Sequence, residues 1–200
     1  MPRPRVRDYD ELRRDLLDAA GRLLAQEGPQ ALSTRRVAQE VGTSTKAVYN
    51  LYGDKGGLLR AMFLEGFARL AQEFATVPSG GDPEADLMAL GHAYRAAALA
   101  NPHLYELMFG RPIADFRPDD AALAQIQGTF DTLVHAVARC VDTGRFAPAD
   151  PYDVAVHLNA LVHGLASLEL KGSLGDADQA GHHWRVALEA TFRGHRATAP

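Results

Sequence analysis

The sequence predicts an all-α protein of about nine helices, with a small three-helix unit at the N-terminus and a larger helical domain after it. Three observations lead there. Apolar residues recur at the 3.6-residue spacing of amphipathic helices along most of the chain. No segment shows convincing period-2 alternation, and no Asn-Gly or Asp-Gly pair joins two apolar runs as a hairpin would. Gly and Pro clusters cut the helical pattern into ordinary globular lengths.

Taken in order, Leu12, Leu16, Leu17, Ala20, Leu23 and Leu24 form the first stripe, stopped by Gly28-Pro29. Two short helices follow in residues 33–52. Leu58, Leu59, Met62, Phe63, Phe67, Leu70 and Phe74 mark a longer one, ending before the linker at residues 78–83. Leu87, Leu90, Tyr94 and Ala98 make the next, closed by Asn101-Pro102. A short piece from His103 to Phe109 precedes an irregular stretch, Gly110 to Pro118. Asp119 or Asp120 then caps a helix carrying Leu123, Ile126, Phe130, Leu133, Val134, Val137 and Val141. Asp150-Pro151 opens another, since Asp suits the cap and Pro the first turn. Asp176 starts the last, with Trp184, Ala187, Leu188 and Phe192, and the tail from His195 to Pro200 is expected to fray.

Composition excludes several classes. Apolar residues make up 46% of the 200, enough for a real core, and no run is long enough to span a membrane. The charged start is followed by no apolar segment of a secretory signal. Cys140 is the only cysteine, so an internal disulfide and a paired-cysteine zinc site are impossible, which fits a cytoplasmic protein. Residues 1–60 hold eleven basic and eight acidic side chains, leaving ten and seventeen beyond, within a net charge of -4. A basic head on an acidic body points any polyanion to the head.

The informative stretch is Leu32-Ser-Thr-Arg-Arg-Val-Ala-Gln-Glu-Val-Gly-Thr-Ser-Thr-Lys-Ala-Val-Tyr-Asn-Leu-Tyr52. Ser33 is a natural N-cap, and Leu32 can staple onto Val37. Val37, Ala38 and Val41 give one buried face, and Gly42 permits the positive φ that ends a helix. Ser44 can cap a second helix, with Ala47, Val48 and Leu51 or Tyr52 turned inward. Two short helices and a glycine turn make a helix-turn-helix. One helix fits the DNA major groove, with its N-terminal residues at base edges. Thr43, Ser44, Thr45 and Lys46 occupy that end, and Tyr49 lies one turn on. The alternative is a helical hairpin with an ordinary polar face.

From Leu16 to Leu59 the chain resembles the DNA-binding domain of the tetracycline-repressor (TetR) family. The shared features are a Leu/Ala first helix, Gly28, Leu32-Ser-Thr-Arg-Arg-Val-Ala, Gly42, Ser44, Ala47-Val-Tyr49, Tyr52, Lys55 and Leu58-Leu59. The resemblance implies that Ser33, Thr34, Arg35 and Arg36 stand at the second helix's start against phosphates, with Arg35 able to reach a base. It makes Thr45, Lys46 and Ala47 base readers, and Tyr49 and Lys55 phosphate contacts. Leu51 departs, standing where the family often has a polar residue or histidine; Asn50 is the neighbour that could take its contact. The basic arm MPRPRVR reads either as a DNA-following extension or as a solvated tail. The domains are then residues 1–55, for DNA, and 56–200, for ligand binding and dimerisation.

In the second domain Ala160, Gly164 and Ser167 form a small-residue stripe that lets another helix approach closely. The family resemblance implies a homodimer through the last two long helices, with Ala160, Gly164, Ser167, Trp184, Leu188 and Phe192 at the interface. Packing inside one subunit is the alternative. Val162-His163-Gly164 resembles the Trp-His-Gly subgroup of the family's C-terminal domains, with Val for Trp. The resemblance also implies a pocket for a small apolar or amphipathic effector. Phe63, Phe67, Tyr94, Tyr105, Met108, Phe109 and Phe130 are candidates for its walls, and His103, His157 and His163 for its polar groups, although an ordinary core uses the same aromatics.

The whole reads as a repressor released from a palindromic double-stranded operator by an effector. The competing class is a helical enzyme or metal protein using the eight histidines, all beyond residue 91. Against it stand the absence of HExxH, GxSxG, a phosphate loop or any Glu-x-x-His pair, and the spacing of His157 and His163, about 120° off one helical face. No metal and no cofactor are expected, and His182-His183 point to different sides of a helix.

Overall fold

The computed structural model describes residues 9–28, 30–110 and 118–197. Among them the chain is all-α, with nine helices: α1 (Tyr9–Glu27), α2 (Thr34–Val41), α3 (Thr45–Tyr52), α4 (Lys55–Ala75), α5 (Pro83–Ala100), α6 (Pro102–Phe109), α7 (Asp120–Asp142), α8 (Pro151–Leu170) and α9 (Ala177–His195). The expected basic arm, most of the irregular stretch after Gly110 and the last three residues lie outside the described residues.

Helix starts follow capping chemistry. Asp82, Asp150 and Asp176 each accept a backbone N–H from two residues ahead, and Pro83 and Pro151 take the first helical positions. Asp176 and Gln179 complete a reciprocal capping box, in which the Asp176 N–H donates to Gln179 Oε1 at 2.9 Å. Of the two candidates for α7, Asp119 does the capping: its Oδ1 accepts from Ala122 N at 2.9 Å.

The chain divides into two compact units. The first comprises the described parts of Met1–Phe67 and His103–Ala122, and so holds α6 together with the helix-turn-helix. Its core joins Leu16, Leu17, Ala20 and Leu23 of α1 to Val37 and Ala38 of α2, Val48 of α3 and Leu58 and Met62 of α4. α6 comes very close to two glycines. A Cβ on Gly21 of α1 would overlap the His103 ring, and one on Gly66 of α4 would overlap the Met108 sulfur. Arg60 of α4 makes two hydrogen bonds to the Asp119 carboxylate.

The second unit comprises Ala68–Pro102 and the described part of Leu123–Pro200. Here α5 packs on α8 and α9, and α8 on α9. Leu87, Leu90, Tyr94, Leu158, Val162, Trp184, Leu188 and Phe192 are buried together in this unit. Trp184, Leu188 and Phe192 correct the sequence expectation. They are at most 1% exposed within the single chain, so a partner subunit has no access to them. The physical reason is that α9 turns its large apolar face to its own α5 and α8 (a fully buried large side chain is worth several CH2 groups of transfer energy). Trp184 also spends its indole N–H on Glu169 Oε2 at 2.6 Å.

Candidate nucleic-acid interface

The helix-turn-helix is built by three local devices. Ser33 Oγ accepts the Arg36 N–H at 3.2 Å, fixing the start of α2. Gly42 takes a left-handed φ of 69°, which turns the chain, and Thr43 N–H returns to Ala38 O at 2.9 Å. Ser44 Oγ then accepts from Ala47 N at 3.1 Å and starts α3. Val48 is fully buried and pins α3 inward, whereas Tyr49 is 64% exposed. Thr45, Lys46 and Asn50 are exposed with it, and Ala47 and Thr43 are half-buried. Lys46 lies one turn before Asn50, so cation, hydroxyl and amide share one accessible surface.

Around α3 two anchors hold its far end. Tyr52 donates its hydroxyl to the Arg13 carbonyl of α1 at 3.2 Å, and burial raises its pKa. After Gly53 the chain reverses, Asp54 Oδ1 accepts from Gly57 N at 2.9 Å, and Lys55 opens α4 half-buried. Gly57 is required there, because a Cβ would overlap the Tyr52 carbonyl oxygen. On α2, Ser33, Arg35 and Arg36 are exposed and Thr34 half-buried. Arg36 is engaged: its Nη2 lies 3.2 Å from Glu27 Oε1 and 3.2 Å from Glu40 Oε1.

The pocket candidates fall into separate groups. Phe63, Phe67, Tyr105 and Phe109 form one aromatic cluster in the first unit, with Phe63–Phe67 centroids 5.1 Å apart and Tyr105–Phe109 4.9 Å. Met108 and His103 occupy the glycine notches beside it. In the second unit the Tyr94 hydroxyl stands 3.5 Å from His163 Nδ1, and burial lowers the His163 pKa. Phe130 packs edge-on against Tyr152, and His157 stacks on His195. Sequence reasoning missed a charged crevice of about 650 Å³ in the second unit, lined among others by Glu84, Met88, Arg145, Glu189, Arg193 and Arg196. Its walls are largely ion-paired, Arg196 with Glu84 and Arg145 with Asp82. Only the 3D fold brings α5, the α7–α8 turn and the end of α9 together, so no sequence signal marks it.

Among the described residues no three His, Cys, Asp or Glu side chains stand together to hold a metal ion, and no helix is long and apolar enough to cross a membrane. Cys140 is buried, which pushes its thiol pKa up to about 11 and leaves it unreactive.

Two family models match this chain. Residues 16–62 match the bacterial regulatory proteins of the tetR family, and residues 87–191 match a tetracyclin repressor-like C-terminal domain, just over half of the chain. The chain belongs to the TetR family. This family is one of regulators rather than of enzymes. An HTH-type transcriptional regulator of Mycobacterium tuberculosis is 25% identical over 153 residues, 73% of this chain and 63% of that protein. An HTH-type transcriptional repressor of Streptomyces coeruleorubidus is 35% identical over 98 residues, 49% of this chain and 36% of that protein. The chain thus spans less than two thirds of the length of these curated relatives. Among solved structures, a protein of unknown function from Rhodococcus sp. RHA1 superposes with a TM-score of 0.77 at 28% identity, covering 98% of this chain and 100% of that one. A TetR family transcriptional regulator from Thermus thermophilus shares the fold, with a TM-score of 0.74 at 19% identity and coverage of 89% and 97%.

Proposed function

We propose that this chain is a sequence-specific DNA-binding transcriptional regulator, a repressor that a small apolar or amphipathic effector releases from a palindromic operator. The observation that carries the reading is the α3 surface. Ser44 caps the helix, Val48 buries one side, and the other side offers Thr45, Lys46, Tyr49 and Asn50 to a groove. A helix presented by its N-terminal residues is what major-groove readout needs. Ser33, Thr34 and Arg35 at the start of α2 and Lys55 at the start of α4 flank it as phosphate contacts, with Thr43 and Ser44 in the turn and Ala47 against a base edge.

Release by an effector follows if the ligand prefers the form that does not bind the operator. The aromatic cluster of Phe63, Phe67, Tyr105 and Phe109 within the first unit is the group offered for it, and it suits a mostly apolar molecule.

The test is a selection of bound duplexes from a random pool, using wild type, Lys46→Ala and Lys55→Ala at fixed salt. Lys46→Ala should cost about 1–3 kcal/mol on the selected site and flatten the preference at one base pair per half-site. Lys55→Ala should weaken all duplexes alike and reduce the salt slope by about one unit per head. If both variants return the wild-type preference at wild-type affinity, α3 is not the reading surface.

A further inference from the structure

Arg36 stands where the family resemblance puts a phosphate contact, yet its guanidinium is already committed. It lies 3.2 Å from Glu27, the last residue of α1, and 3.2 Å from Glu40, one turn further along α2. A third tie is local, since the Arg36 N–H is the donor that Ser33 caps. Arg35 beside it makes no ion pair among the described residues.

We propose that Glu27 and Glu40 hold the Arg36 guanidinium away from DNA, lowering the sequence-independent part of duplex affinity. The inference rests on the DNA-binding reading and deepens it. The physical case is one of competition. Swinging the guanidinium onto a phosphate would abandon two carboxylates and leave both facing a polyanion. The trio as folded carries one net negative charge, so it adds nothing to the backbone attraction that DNA of any sequence feels. Phosphate contacts position a protein without reading sequence. Withholding one of them shifts discrimination toward the side chains of α3. Glu27 gains as well, because a carboxylate at a helix C-terminus is unfavourable until a cation offsets it.

The test uses the full chain and a mixed-sequence duplex, with affinity followed by fluorescence anisotropy over a range of salt concentrations. Two variants are compared with wild type: Glu27→Gln/Glu40→Gln, and the same pair with Arg36→Ala added. The double variant frees the guanidinium, so its slope of log affinity against log salt should steepen by about one unit per head, with tighter binding. Adding Arg36→Ala should return the slope to the wild-type value, with affinity no weaker than wild type. These pairs are 41–46% exposed, so their removal leaves the fold intact, and thermal melts of both variants check this. A double variant that keeps the wild-type slope overturns the proposal. So does a triple variant whose slope falls about one unit per head below wild type, since Arg36 would then contact phosphate in the native protein. Because the expected change is a gain of binding, partial misfolding cannot imitate it. A wild type showing no salt-dependent duplex binding at all removes the DNA reading itself, and the withholding of Arg36 with it; any of the other outcomes leaves that reading standing.

Discussion

Glu169 concentrates more interactions than any other carboxylate described above. Arg95 of α5 donates to both of its oxygens, at 2.6 to 3.1 Å, and Trp184 of α9 donates to Oε2. One side chain near the end of α8 therefore ties three helices, and only 11% of it is exposed. The Arg95 hydrogen bonds, followed by the Trp184 bond, outweigh burial and lower the Glu169 pKa. Its contribution to stability is therefore present above the ordinary carboxylate value. That contribution is lost as pH falls through the lower folded value. Glu169→Gln should cost about 3 kcal/mol at neutral pH, because it strands a partly buried guanidinium, and the difference from wild type should shrink in acid. Denaturant melts read by tryptophan fluorescence check this, Trp184 being the only tryptophan; equal stability at neutral pH would refute it. None of this was legible in the sequence. Arg95 and Glu169 are 74 positions apart, and no local rule pairs them. Gly57 was equally hidden as a requirement, since the Tyr52 carbonyl that excludes a Cβ there is a matter of chain reversal rather than of composition.

At the scale of elements, the starts and stops were legible because capping is local chemistry. Ser33, Ser44, Asp150 and Asp176 all cap as their sequence neighbours imply. Ser44→Ala should therefore destabilise the first unit by about 1 kcal/mol, measured by thermal melting, and Ser44→Asp should restore most of it; failure of the Asp variant to rescue would mean that the cap is not the cause. What no periodicity could announce is the attachment of α6, whose eight residues pack through two glycines on helices distant in sequence. The two notches differ in consequence. At Gly21 a new methyl meets a rigid imidazole, so Gly21→Ala should cost about 1–3 kcal/mol as an overpacking change. At Gly66 it meets the flexible Met108 thioether, which can bend aside, so Gly66→Ala should cost less than about 1.5 kcal/mol. Unfolding curves of the two variants that rank the other way would show that His103, not Met108, has room to move.

The whole molecule poses the question of assembly, and here the correction at α9 changes where an interface has to lie. Trp184, Leu188 and Phe192 are consumed by the protomer's own core, whereas Tyr152, Val156 and Ala160 are exposed at i, i+4 and i+8 of α8. These three share one helical face. Val186 is exposed on α9, and a Cβ on Gly164 meets nothing within 4 Å. The sequence stripe of small residues lies on this same helix, but the large anchors it was paired with face the protomer's own core, a distinction that depends on the rotation of α9 about its axis. A palindromic operator requires a two-fold dimer, and we expect one through this face of α8 with the outer face of α9. Its reading helices should stand about 34–36 Å apart, or modestly more, when bound to successive major grooves. Val156→Asp places a charge at the centre of that face and should shift light scattering from dimer to monomer at micromolar concentration. Trp184 fluorescence and helical content should stay as in wild type, because Val156 is not part of the monomer core. The same variant should bind a single half-site as wild type does while losing the advantage of the full palindrome, since that advantage comes from joining two heads. A wild type that scatters as a monomer, or a Val156→Asp variant that stays dimeric and keeps its preference for the palindrome, would place the two-fold contact elsewhere.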